Sequence, residues 1–270
     1  RSVSPSAAAP SRRVLLGTAI AVAFPRSPLI TAHAAWDLAA QSNGRFILGL
    51  GTQVKAHIKR RFSTAWGRPV PRLREYILAL RAIWRSWQHG EPLDFRGEFY
   101  QHTLMTPFFA PRPIDHPEIP VYIAGVNARL CQLAGELCDG FHVHPFHTVD
   151  YLRQQILPNI KRGAGRAGRS RSDVALSSAI FIVTGRAEAE MRRAAIEVKT
   201  QIAFYASTAS YRPVLEQHGW GGVGDELAIL ARQGRWQEMP GLISDEMLEA
   251  FAVVAPVEEL AGRVRERYEG

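Results

Sequence analysis

The sequence predicts an α/β fold built on a parallel sheet with crossover helices. Short apolar runs alternate with amphipathic helical patterns, as parallel strands require of their connections. The chain has 270 residues, near the roughly 250 that an α/β barrel uses as one unit. It is 46% hydrophobic and 21% charged, which supports a large core and argues against global disorder.

Residues 1–13 read as a disordered leader, because Arg1 to Ser11 are rich in Ser, Ala and Pro without apolar periodicity. A single domain is expected over residues 14–270. Arg12-Arg13, the apolar run Val14 to Phe24 and Ala32-His33-Ala34 imitate a secretory signal. The run is too short to span a bilayer, and it ends in Phe24-Pro25-Arg26-Ser27-Pro28, which suits a buried strand entering a loop. Val14 to Val22 is therefore read as a strand. Pro28 to Gln41 reads as a helix opened by Ser27-Pro28, and Phe46 to Gly51 as a strand after the turn Ser42-Asn43-Gly44.

Leu73, Tyr76, Ile77, Leu80, Ile83 and Trp84 follow three-and-four spacing and predict a helix over Arg72 to Trp87. Leu93 to His102 alternates around Arg96-Gly97 and reads as a hairpin inserted in a loop, followed by a Pro-rich connection from Pro107 to Pro120. Strands are expected at Val121 to Ala124, Gly140 to His144 and Val174 to Thr184. Helices are expected at Ala128 to Cys138 and Val149 to Ala167, with a mostly helical remainder from Glu188 to Arg267. These strands fall short of the eight that close a barrel.

The net charge of +8 suits an acidic partner or an ordinary Arg-rich surface. The basic residues are scattered, apart from Lys59-Arg60-Arg61 and the run Lys161 to Arg171. Without zinc-finger spacing or an RNA-binding aromatic motif, nucleic acid is not expected as a partner, and neither is a membrane. Lys55, His57 and the cluster Lys59-Arg60-Arg61 read as a solvated loop, the alternative being a gate on the pocket or an attraction for an acidic cofactor tail. Cys131 and Cys138 lie in one predicted helix, about 10 Å apart along its axis, too far to bridge. They read as reduced thiols in a cytoplasmic protein.

Gly49-Leu50-Gly51-Thr52 ends a strand as either a tight turn or a close approach of backbone to a ligand. Ala124-Gly125-Val126-Asn127 joins a strand to a helix, and is either an ordinary Asn cap or an anion site at a helix N-terminus. In Phe141-His142-Val143-His144-Pro145-Phe146-His147, strand alternation would put His142 and His144 on one face. No HExxH pattern or carboxylate partner accompanies them, so no metal is expected.

Three segments in order carry a resemblance: Leu16-Gly17-Thr18-Ala19-Ile20 with Arg26-Ser27-Pro28; Asn43 through Thr52; and Pro120-Val121-Tyr122-Ile123-Ala124-Gly125 with Leu133-Ala134-Gly135 and Asp139-Gly140-Phe141. Asp94 through Tyr100 fits the same pattern as an insertion. Together they resemble the luciferase-like oxidoreductase family, above all its branch using the deazaflavin coenzyme F-420. The resemblance implies a TIM-type (β/α)8 barrel whose first two strands and last strand have no counterpart here. It also implies hydride transfer with a small organic substrate, and homo-oligomers. Members' acid/base residues lie in or near the early strands, so no catalytic residue is assigned. A Glu found in sugar-phosphate-oxidising members is Val54 here, which argues against that substrate.

The resemblance further implies cofactor contacts from Thr18, Ala19, Ile20, Gly51, Thr52, Ala124, Gly125, Val126, Asn127 and His144. Ala19-Ile20 is the expected place of a non-proline cis peptide behind the ring. The Ala124–Asn127 turn is the expected phosphate cradle, with His144 and His147 nearby. The alternatives are an FMN-dependent monooxygenase of the same architecture and a non-catalytic remnant.

Overall fold

The structure, a computed structural model, describes residues 12–269, so the reading of residues 1–11 as a leader lies outside the described residues. Along the chain run β1 (Leu16–Gly17), β2 (Ala21–Val22), α1 (Pro28–Gln41), β3 (Phe46–Gly51), α2 (Lys55–Arg60), α3 (Pro69–His89), β4 (Phe95–Arg96) and β5 (Gln101–His102). Next come β6 (Val121–Gly125), α4 (Ala128–Leu137), β7 (Gly140–Val143), α5 (Val149–Tyr151), a π turn at Leu152–Ile156, α6 (Leu157–Arg166), β8 (Ala175–Ser178) and β9 (Phe181–Val183). The last elements are α7 (Glu188–Ala206), α8 (Arg212–Gln217), α9 (Gly221–Gln233), α10 (Asp245–Phe251), β10 (Ala252–Val254) and α11 (Leu260–Tyr268).

These elements form two compact units. The first comprises the chain up to Gly125 with residues 129–142 and 160–177; the second holds residues 126–128, 143–159 and 178 onward. The first unit carries a sheet in the order β1-β3-β6-β7-β8, with β2 also on β3, and β1, β2 and β6 run parallel to β3. This is the α/β, TIM-type arrangement that the sequence predicts.

Helix α1 has the predicted bounds because its ends are written locally. The Ser27 hydroxyl accepts from the Leu29 amide, and Asn43 and Gly44 leave the helix with positive φ. Helix α3 extends beyond its predicted range, since Pro69 and Pro71 are tolerated in a first turn where amides need no intrahelical partner. Trp36 of α1 and Leu73, Tyr76, Ile77, Leu80 and Ile83 of α3 are fully buried. The small hairpin β4–β5 sits over α3, where the Glu75 carboxylate accepts the amides of Glu98, Phe99 and Tyr100 at 2.9, 2.6 and 2.5 Å.

In the same unit α4 and α6 touch backbone to backbone. A Cβ on Gly135 would overlap the Ile160 carbonyl oxygen, and one on Gly163 would overlap that of Gln132.

The second unit is mainly helical around α7, whose Val198, Ile202, Ala203 and Ala206 are buried. It holds a two-stranded parallel sheet of β9 and β10, with Ala252 facing Phe181 and Val254 facing Val183. Two expectations are corrected here. The predicted strand Val174 to Thr184 breaks at Ala179-Ile180, sending β8 and β9 into different sheets. The helical remainder contains β10, which follows α10 without a turn residue between them.

The expected solvated loop after β3 is also corrected: Lys55–Arg60 is a short helix that buries Ile58 beneath its basic side chains. Among the described residues no helix is long and apolar enough to cross a membrane.

Candidate functional site

The predicted first strand does not run unbroken. Leu16 pairs with Phe46 and Gly17 with Ile47, a register that would set Ala21 opposite Gly51, yet Ala21 faces Leu50. The strand therefore carries one residue more than β3 across this stretch, and the excess bulges out at Thr18, Ala19 and Ile20. The Ala19–Ile20 peptide is cis, as the resemblance implies.

Side chains and bare backbone hold the bulge. The Thr18 hydroxyl accepts the Gly49 amide at 2.9 Å and donates to the Gly49 carbonyl at 2.7 Å. A Cβ on Gly49 would overlap the Thr18 carbonyl oxygen, and one on Gly51 would lie 2.6 Å from Ile20 Cδ1. The two glycines thus make room for the neighbouring strand, which gives the Gly-x-Gly pattern a reason internal to the protein. Ala19 itself is exposed and Ile20 half-buried.

Because β2, β3 and β6 are parallel, with Leu50 opposite Ile123, Gly51, Thr52, Ala124 and Gly125 gather at the carboxyl edge of the first unit's sheet, while Ile20 precedes β2, level with Gly49. That edge is where sites of parallel α/β folds lie. Beyond it, Gln53 has φ of 59° and its side chain accepts the Val54 amide at 3.0 Å. Gly125 is bare because a Cβ would lie 2.7 Å from Leu130 Cδ1.

His142, also in this unit, lies beside Tyr122 with ring centroids 5.2 Å apart, and its Nε2 has no hydrogen-bond partner among the described residues. Burial lowers its pKa, against an upward pull from the Thr18 backbone. A cavity of about 570 Å³ opens near Arg81, Trp84, Pro120 and Asp139. Pro120 and Asp139 precede β6 and β7, so this is the amino-terminal edge, and we assign it no chemistry.

The second unit holds the remaining predicted residues, Val126, Asn127 and His144. The Val126 carbonyl accepts the Tyr151 hydroxyl at 3.0 Å. Helix α4, which starts after Asn127, has no acidic residue in its first turn, so nothing there opposes an anion.

Strand β7 ends at Val143, so the alternation that would pair His144 with His142 stops short of His144. The His144 Nδ1 accepts the Phe146 amide at 3.1 Å, and its Nε2 is 3.0 Å from the Tyr211 hydroxyl. Its ring stacks on Tyr211, centroids 4.6 Å apart, and meets Tyr205 edge-on at 4.7 Å. Burial, with a smaller push from His147, lowers its pKa to about 4. His147 donates from Nδ1 to the His144 carbonyl at 2.7 Å and faces the Tyr268 hydroxyl through Nε2 at 3.3 Å. Among the described residues no three His, Cys, Asp or Glu side chains converge as a metal site would require.

Sequence reasoning missed Tyr151, Tyr205 and Tyr211. Each meets its partner from far along the chain, and no local pattern marks it.

The family profile of luciferase-like monooxygenases matches residues 3–270. The chain belongs to this family. An uncharacterized protein of Mycobacterium tuberculosis is 50% identical over 264 residues, covering 98% of this chain and 78% of its own length. A 5,10-methylenetetrahydromethanopterin reductase of Archaeoglobus fulgidus is 27% identical over 263 residues, covering 95% of this chain and 74% of its own. Among solved structures, the coenzyme F-420 dependent tetrahydromethanopterin reductase of Methanopyrus kandleri matches with a TM-score of 0.77. It is 24% identical and covers 97% of this chain and 76% of its own. That likeness shows that the two chains share a fold.

Proposed function

We propose that this protein is an oxidoreductase transferring a hydride between coenzyme F-420 and a small organic substrate. The observation that carries the reading is the gathering of Gly51, Thr52, Ala124 and Gly125 at the carboxyl edge of the first unit's sheet, beside a bulge at Thr18–Ile20 that packs on Gly49 and Gly51. The choice of deazaflavin is supported by the methanopterin reductase among the relatives and by the F-420 dependence of its Methanopyrus counterpart.

In this reading Thr18, Ala19, Ile20, Gly51 and Thr52 back the ring. Ala124, Gly125, Val126, Asn127 and His144 take the phosphate side, helped by an α4 first turn free of acids. When bound, the ring supplies or accepts the hydride; the protein orients it and shapes its electrostatics. The reading includes assembly of the chain into homo-oligomers in the cytoplasm.

The family's description as monooxygenases favours a second reading, an FMN enzyme that activates oxygen. Absorbance and fluorescence titration with coenzyme F-420 and with FMN separates the two. Saturable binding of the deazaflavin alone is expected. Binding of FMN alone promotes the monooxygenase, and a folded protein that binds neither overturns both.

A further inference from the structure

His142, in the first unit, presents its two ring nitrogens to different surroundings. Strand alternation sets Phe141 and Val143 into the core and turns His142 to the other face of the sheet. There Nε2 is enclosed without a hydrogen-bond partner among the described residues, whereas Nδ1 is not enclosed in this way. A Cβ on Gly49 would overlap the Thr18 carbonyl oxygen and lie 2.7 Å from Nε2. The carbonyl and the ring nitrogen therefore press on the same small space. The Tyr122 ring, from β6, covers one flank.

These neighbours decide where the proton sits. A carbonyl oxygen repels a lone pair and favours an N–H beside it, even where no full hydrogen bond forms. Burial lowers the His142 pKa and the Thr18 backbone pulls against it, with no charged side chain contributing, so the ring is neutral at neutral pH. A neutral ring has one proton. With that proton on Nε2, the lone pair lies on Nδ1, the nitrogen left open. Gly49 stands opposite Tyr122, and Gly51 follows two residues along β3. His142 is thus one layer beneath the carboxyl edge, in the same unit as the bulge.

We propose that His142 is the acid–base residue of the reaction, taking up and returning a proton through Nδ1. This rests on the reading above, hydride transfer to or from a bound deazaflavin. It names the substrate class as a carbon bearing both C–H and O–H, oxidised to a carbonyl. The hydride leaves the carbon for the deazaflavin ring, the hydroxyl proton passes to Nδ1, and a C=O bond remains. The substrate is oxidised and the cofactor reduced. Reduction of a carbonyl runs the same transfers backwards, with Nδ1 giving its proton to the oxygen. Thr18 then has two tasks: its hydroxyl holds Gly49, and its carbonyl fixes the His142 tautomer.

Two measurements on the full chain test this. In protein labelled with nitrogen-15 histidine, the His142 ring signals are those lost in His142→Gln. They should show a neutral ring protonated on Nε2 at neutral pH. Diethyl pyrocarbonate, which acylates an accessible unprotonated imidazole nitrogen, should modify His142, read by peptide mass mapping. With coenzyme F-420 or FMN at ten times its Kd, that rate should fall about tenfold, since only unoccupied protein reacts. A proton on Nδ1, or no acylation of His142 in the free protein, overturns the assignment. So does acylation at an unchanged rate in protein that demonstrably binds either cofactor, which leaves the cofactor reading standing. If titration shows that neither cofactor binds, the cofactor reading fails and takes the assignment with it.

Discussion

Thr18 satisfies both backbone hydrogen-bonding groups of Gly49 with a single hydroxyl, accepting its amide at 2.9 Å and donating to its carbonyl at 2.7 Å. The side chain stands in for the ladder bonds that the bulge removes. Thr18→Val keeps the shape and deletes both bonds, so it should cost about 1–3 kcal/mol in urea unfolding. Thr18→Ser should lie close to wild type. Equal stability of the Val and Ser variants would show that the hydroxyl does not hold the bulge.

Gly49 and Gly222 should respond in opposite directions to alanine. At Gly49 the new Cβ meets the Thr18 carbonyl, a main-chain atom that cannot swing aside, and lies 2.7 Å from His142 Nε2. Thermal unfolding should show a loss of about 1–3 kcal/mol or more. Gly222 lies within α9 with nothing within 4 Å of a built Cβ, so alanine there should stabilise by about 0.5–1 kcal/mol.

Glu75 anchors the hairpin turn by accepting three successive amides. Glu75→Ala should raise hydrogen exchange at Glu98, Phe99 and Tyr100 and cost about 1.5–3 kcal/mol. Unchanged exchange at those three amides would mean the turn is held by other contacts.

The protein should lose stability as pH falls below neutrality. His144 has a folded pKa lowered to about 4, and His142 and His147 shift the same way, each chiefly through burial. The folded rings stay neutral where the unfolded chain, with histidines near 6.5, takes up protons. The contribution is therefore complete above about pH 6.5 and is lost as pH falls towards 4. His144 alone accounts for something on the order of 2 kcal/mol. Urea midpoints from pH 7.5 to 4.5 read this directly, and His144→Gln should flatten the curve. An equally steep curve in the variant would place the proton uptake elsewhere.

Some of this architecture is written in short-range chemistry. Ser27-Pro28 and Ser42-Asn43-Gly44 bracket α1 because capping and positive φ are local demands. Strand β10 escapes notice because Ala252 follows Phe251 of α10 directly, and only its pairing with β9 makes it a strand. The break at Ala179-Ile180 has no glycine or proline to announce it. At the site, the glycines of β3 are visible in the sequence but their cause is not, since Thr18 and Ile20 fill the space from another strand. Tyr211 meets His144 from 67 positions away, and no pattern in either segment foretells the other.

The crossing of α4 and α6 has a consequence for how this sequence can change. When two side chains clash, a smaller partner can relieve the strain, and pairs of positions can drift together. At Gly135 and Gly163 the obstacle is the carbonyl of Ile160 and of Gln132, an atom every residue possesses. No replacement on the facing helix can yield space, so each position is locked independently of its neighbour's identity. The two helices are registered by vacancies that must be kept one by one.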